Sequence, residues 1–182
     1  MGSKNRETKS LVFFLVTVVA AFMATSLFSP AGWSKYYPAK SVEDWIIVPV
    51  DIKPGLCPNP LILSSSDKVP VAILGAHNFD VKQIVKGSIR LEGVRPFQTS
   101  LKDVGRPYKY YLWGKNADDV QPDYCNTKGP DGKPDLLLTF DKHALARALG
   151  SVKDGEVRIL RISGRLDSGV SILGDDVVVV QK

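Results

Sequence analysis

From Trp45 onward the chain is cut into short apolar runs, each stopped by glycine, proline, asparagine or aspartate. That punctuation favours β-structure with frequent turns. Trp45-Ile-Ile-Val-Pro-Val-Asp-Ile52 predicts a first strand. Pro49 has no amide to donate, so this strand should lie at an edge or carry a bulge. Lys53 to Pro60 is dense in turn residues and reads as a loop. Leu61–Leu63 and Val69–Leu74 predict the next strands, the second ended by Gly75. Phe79–Val85 reads as a short helical turn or loop, Ser88–Glu92 as a half-buried strand, and Leu136–Phe140 as a further strand. Asp141 is placed to cap a short helix over Lys142–Leu149, with Leu145 and Leu149 on one face and Gly150 after its end. Glu156–Ile162, a connection over Gly164–Gly169, and Ser171–Leu173 with Val177–Val180 predict a hairpin. Asp175-Asp176 reads as a turn, and the terminal valine strand could pair with another chain if it lies at an edge. The expectation for residues 45–182 is an all-β fold, an antiparallel β-sandwich of immunoglobulin-like type with one short helix.

The first part of the chain has a different character. Lys4, Arg6 and Lys9 precede the apolar run Leu11–Met23, and Ser29-Pro-Ala31 supplies small residues at a peptidase site. Residues 1–31 therefore read as an export signal, with 32–44 as a linker. The alternative is a retained membrane anchor, because Leu11–Phe28 reaches the length of about 17–25 residues that spans a bilayer. The expected location is secreted, periplasmic or cell-surface, with membrane contact only if this segment is kept. Residues 1–31 hold three of the 24 basic and one of the 19 acidic residues, leaving 21 and 18, a net of +3. So balanced a charge gives no reason to expect nucleic acid as a partner.

Cys57 and Cys125 are the two cysteines, and both fall in the exported part. An oxidising compartment favours a disulfide between them, and two free thiols are the alternative.

Several separated blocks carry a resemblance. Val50-Asp-Ile-Lys-Pro-Gly55, Cys57-Pro-Asn-Pro60, Val69-Pro-Val-Ala-Ile-Leu-Gly75, Phe79-Asp-Val81, Leu91-Glu-Gly93 and Gly132–Phe140 stand in an order that resembles a group of secreted bacterial and archaeal "DIKPG…PVAILG" modules. The resemblance covers about Val48 to Val180. It implies a place in surface or extracellular proteins and brings no established activity. In many such modules an acidic loop similar to those of dockerins and integrin-type repeats precedes the central strand. By that resemblance Asp103-Val104 matches its first part and Asp131-Gly-Lys-Pro-Asp135-Leu136 its D-G-x-x-D-L part. An insertion, Gly105 to Pro130, separates the two, and Gly129 stands where a denser acidic loop would have a ligand.

The residues themselves also suit calcium, which takes six to eight oxygen ligands. Asp131 and Asp135 have D-G-x-x-D spacing around Gly132, and Asp123, Asn126, Asp118 and Asp119 could add oxygens; Asp103 joins this set only by the resemblance. Pro-Asp-Gly is equally a common solvated turn. An EF-hand is not expected, because its first and third positions would be Thr127 and Gly129.

The insertion also carries Tyr108, Tyr110, Tyr111 and Trp113 beside Arg106, Lys109 and Lys115. Exposed, they would form a contact surface for a sugar or a protein; alternating, they would pack as an extra strand. His77 and His143 lack zinc spacing, and no nucleophile elbow, phosphate loop or dinucleotide fingerprint is present. The resulting expectation is a secreted, non-enzymatic structural or interaction module, stabilised by calcium and a disulfide, meeting a protein or glycan at the cell surface. The alternatives are a membrane-anchored accessory subunit and a carbohydrate-binding module.

Overall fold

The computed structural model describes residues 45–65, 67–108, 112 and 115–182. The signal or anchor segment and the linker lie outside them, as do Tyr110, Tyr111 and Trp113.

The domain is an all-β sandwich of two sheets. One holds β1 (Trp45–Ile47), β3 (Pro60–Ile62), β5 (Arg90–Leu91), β8 (Val157–Arg165) and β9 (Ser171–Gln181). The other holds β2 (Val50–Ile52), β4 (Val69–Ile73), β6 (Gln98–Lys102) and β7 (Asp135–Phe140), in the order β2-β4-β7-β6. Alternation along the strands builds the core. Val50, Ile52, Val71, Ile73, Leu136, Leu138 and Phe140 from the second sheet meet Leu91, Leu160, Ile162, Ile172 and Val178 from the first. Helix α1 (Lys142–Leu149) closes one side with Leu145, and the Asp141 carboxylate caps it by accepting from the Ala144 amide at 2.7 Å.

Four expectations change. The predicted strand Trp45–Ile52 is two strands in different sheets, broken at Val48-Pro49. Proline removes one ladder donor, and the chain crosses there from the first sheet to the second. The crossing runs against Gly174, where a Cβ would stand 2.4 Å from Val50 Cγ2 and 2.7 Å from the Val48 carbonyl oxygen. The Ser88–Glu92 strand shrinks to two residues because Lys86–Ser88 turns as a 3₁₀ helix. Val177–Val180 is not at an edge: β9 has β8 antiparallel on one side and β1 and β3 parallel on the other. Finally, Asp175-Asp176 is no turn but lies inside β9, with Asp176 opposite Leu160.

That last pairing puts Asp176 on the inner face, in phase with Gly174 and Val178. On β9's outer edge β1 covers Ser171–Leu173 and β3 covers Val179–Gln181. Asp176 sits in the gap between them, where β2 approaches.

Candidate functional site

The 105–130 insertion wraps the sandwich edge at which β2 meets β9, and four sets of contacts fix it there. The first is at its base. The Asp103 carboxylate accepts from the Asp131 amide at 3.1 Å and the Gly132 amide at 2.7 Å, so the entering and leaving strands are joined. Gly132 has φ 88°, the left-handed turn that its lack of a side chain permits.

Asp135 supplies the second. It opens β7, fully buried, and its Oδ1 accepts from Gly75 N at 2.8 Å. Its Oδ2 accepts from Val104 N at 2.8 Å and Gly105 N at 3.1 Å. One carboxylate thus joins the end of β4 to the start of the insertion. Burial holds its pKa above the usual carboxylate range, while the three backbone donors pull it down. Gly75 admits no side chain here, because a Cβ would stand 2.4 Å from the Pro134 carbonyl oxygen.

The third is covalent. Cys57 and Cys125 form a disulfide, with Cα atoms 5.5 Å apart, linking the loop after β2 to the far part of the insertion. The fourth is apolar: Leu112 and Val120 pack on Val177 with Tyr124, Val157 and Ile159, on the outer face of the β8–β9 hairpin.

Asp176 and Tyr108 complete the edge. Asp176 Oδ2 accepts from Ile52 N at 2.6 Å and Asn59 Nδ2 at 3.0 Å. Its Oδ1 accepts from Tyr108 Oη at 2.9 Å and Val177 N at 2.8 Å. The Tyr108 hydroxyl also lies 3.0 Å from the Val50 carbonyl oxygen. Side chains therefore satisfy a donor and an acceptor on the free edge of β2, where a strand would otherwise be needed. Burial raises the Asp176 pKa to about 7 against these four donors. Burial, followed by the charge of Asp176, raises that of Tyr108.

Asp51 is the exception in this network. It lies on the outer face of β2 opposite Ala72, under the insertion, and is fully buried. Among the described residues neither carboxylate oxygen has a hydrogen-bond partner. Burial, then the charges of Asp176 and Asp135, push its pKa up to about 8. None of the ion pairs among the described residues, Lys133–Asp131, Arg158–Glu156 and Arg161–Asp175, reaches these three acids.

The residues singled out for calcium divide. Hydrogen bonds bring Asp103 to the Asp131 turn and Asp135 to the Val104-Gly105 segment, so the insertion returns to its base. Asp131 Oδ1 accepts from Lys133 N at 3.0 Å, and Oδ2 is 3.3 Å from Lys133 Nζ. Asn126 is used elsewhere, donating to the Arg106 carbonyl at 2.9 Å and accepting from Lys128 N at 3.0 Å. Asp123 is exposed, and among the described residues no hydrogen bond ties its side chain to the turn. Among the described residues no group of three or more His, Cys, Asp or Glu side chains is arranged to hold a metal ion. Of the aromatic set, Tyr108 is half-buried and spends its hydroxyl inward.

Sequence reasoning missed Asp51, Asn59 and Asp176. A signal existed for each acid. Asp51 interrupts an apolar run, and Asp176 has the same parity along its strand as Val178, a core position.

Comparison with protein families, characterised proteins and solved structures finds no match to this chain.

Proposed function

We propose that this protein is an exported, non-enzymatic structural module that holds the 105–130 insertion as a rigid contact surface for a protein or glycan outside the cytoplasm. The observation that carries this reading is the number of independent ties on one insertion: a disulfide, two bridging carboxylates, an apolar pad and the Tyr108–Asp176 bond. Ordering a loop of this length has an entropic cost of roughly 1–2 kcal/mol per residue for the backbone alone. A loop fixed in advance does not incur that cost again on meeting a partner.

The paired cysteines support the export half of the reading, since such bridges persist in oxidising compartments. The lysine- and aspartate-bearing stretch Lys115–Asp123 supports the contact half. Lys115, Asn116, Asp118, Asp119, Gln121 and Asp123 are all exposed on an ordered scaffold. His77 and His143 are also exposed and stand on separate elements, one after β4 and one on α1. This fits a role without nucleophile–base chemistry.

A photoreactive amino acid at Lys115 or Gln121, in cells exporting the full chain, tests the reading. Adducts to one defined surface component are expected from these positions, and none from Lys86. Equal adducts from all three, or recovery of the protein with reduced thiols in the cytoplasm, would count against it.

A further inference from the structure

The outer face of the first sheet is used unevenly. At one end the insertion pads it, with Leu112 and Val120 on Val177, Val157 and Ile159. At the other end, where β8 turns into β9, the described residues leave a cleft of about 610 Å³. Strand register lays out its floor. Trp45 of β1 stands beside Ser171 of β9, and Ser171 stands beside Arg165 of β8. Arg90 of β5 stands opposite Ser163, two residues before Arg165. These positions are in phase with Val157, Ile159 and Val177, so their side chains leave the sheet on the outer face. Trp45 and Arg165 are two strand spacings apart, about 10 Å. Arg90 and Arg165 are diagonal neighbours, about 7–8 Å apart.

The lining has a definite chemistry. Trp45 is 44% exposed, so its indole is open to a ligand. Arg90 Nη1 donates to the Gly87 carbonyl at 3.0 Å and the Ile89 carbonyl at 2.6 Å, which fixes that guanidinium and leaves Nε and Nη2 for a ligand. Arg165 is exposed, and none of the ion pairs among the described residues includes either arginine. Ser88 spends its hydroxyl on the Val85 carbonyl and the Arg165 amide. Ser163 and Ser171 supply two further hydroxyls, and Asp167 is the one acid among the described lining residues.

We propose that this cleft binds an acidic saccharide: Trp45 stacks on the apolar face of a pyranose ring, and Arg90 and Arg165 take its carboxylate or sulfate group. A guanidinium presents paired donors to an oxyanion, and an exposed indole is a flat apolar platform. The serine hydroxyls and Asp167 match the donors and acceptors of sugar hydroxyls. The volume lies in the range of small-molecule sites, about 300–1,000 Å³, and is more than a free inorganic anion fills. An extended peptide is a poorer match, because strand addition uses the unpaired backbone of a sheet edge and this cleft lies on a face. A helix would need an apolar groove, and Trp45 and Val85 are the large apolar side chains exposed among the described lining residues. The cleft is distinct from the insertion surface; Val85 lines it and the neighbouring Lys86 does not. Its failure would leave the rigid-insertion reading untouched.

The test is calorimetry and tryptophan fluorescence on the purified exported protein, with tetragalacturonate, its methyl ester, a sulfated heparin tetrasaccharide and a glutamate tetrapeptide as probes. The expected result is saturable binding of at least one acidic saccharide, weakened by salt, with a shift in indole emission that Trp45→Ala abolishes. The uncharged methyl ester and the peptide should bind at least about tenfold more weakly. Trp45 and Arg165 are both exposed, so their variants should fold, and Trp45→Ala and Arg165→Gln should each weaken saccharide binding by about tenfold or more. Lys102→Gln removes the same charge from exposed β6 in the other sheet and should change binding by less than about twofold. Absence of saturable binding by either acidic saccharide overturns the proposal. So does a peptide or methyl ester that binds as tightly as the acidic saccharides, or an equal loss in Arg165→Gln and Lys102→Gln.

Discussion

Replacing Asp176 by alanine should destabilise the domain by about 2–5 kcal/mol, whereas the same change at Asp175 should cost about 1 kcal/mol or less. The difference follows from what each carboxylate touches. Asp176 accepts four hydrogen bonds while fully buried. Two of its donors have another acceptor: Tyr108 Oη keeps the Val50 carbonyl at 3.0 Å, and Asn59 Nδ2 keeps the Val177 carbonyl at 2.9 Å. Ile52 N and Val177 N would lose the carboxylate that accepts from them. A buried donor left unsatisfied costs about 1–3 kcal/mol, so two cost about 2–6. Removing a buried charge beside Asp51 returns part of that, which sets the lower expectation. Asp175, by contrast, pairs at 2.9 Å with an Arg161 side chain that is 48% exposed, and half-exposed pairs contribute little. Urea denaturation followed by tryptophan fluorescence gives both midpoints and slopes. If the two variants lie within about 0.5 kcal/mol of each other, the edge network around Asp176 does not do what its geometry implies.

Further expectations can be checked on the same instrument. Changing both cysteines to serine opens a loop of 68 residues, and the chain-entropy model puts the loss at about 4 kcal/mol; a loss below about 1 kcal/mol would mean that the insertion's other ties already restrict the unfolded chain or that the bridge is strained. Gly75→Ala would press a methyl against the Pro134 carbonyl oxygen, 2.4 Å away, and should cost about 1–3 kcal/mol, while Gly87→Ala, which meets nothing within 4 Å, should cost no more than about 0.5. Stability should fall as pH rises. Asp51 is raised from 3.8 to about 8, so the folded state holds a proton between these values that the unfolded state has released. Its contribution is complete below the unfolded value and lost as pH rises through about 8, with a slope near 1.4 kcal/mol per pH unit. Asp176, raised to about 7, adds in the same direction, and Asp51→Asn should flatten its share of the slope. A pH-independent midpoint in the unaltered protein would contradict the burial of both acids.

Local chemistry explains what could be read from the amino-acid sequence. The Asp141 cap, the Leu145 face of α1 and the Val157–Gln181 hairpin depend on neighbours a few residues away, and they appear where periodicity put them. The cysteine pair was legible because there were only two cysteines and one compartment argument. Gln98–Lys102 was not legible as a strand: at the sheet edge and mostly exposed, it has no apolar alternation to mark it. The crossing at Val48-Pro49 was missed for another reason. Proline announces a disturbed strand, but only the close approach of Gly174 turns that disturbance into a change of sheet. The candidate site was half visible. Asp131 and Asp135 share a turn motif, whereas Asp103 was placed with them by resemblance alone, and its contacts with the Asp131 turn span 28 and 29 residues of chain. Asp176 meets Ile52 across 124 residues of chain, and no local pattern reports such a contact. Its acidic neighbour Asp175 made the pair look like a turn, although alternation with Val178 and Val180 places Asp176 inward.

The most direct test of the central claim, that the insertion is held rigid against the β2–β9 edge, is amide hydrogen exchange resolved by residue in the oxidised protein. Val104 and Gly105 donate to Asp135, Ile52 to Asp176, and Asp131 and Gly132 to Asp103. Slow exchange at Val104, Gly105 and Ile52, comparable to that of core strand β7, is the predicted result. Exchange at Val104 and Gly105 as fast as in an unstructured peptide, with β7 still protected, would contradict the account, because the insertion would then be a free loop on an otherwise stable sandwich.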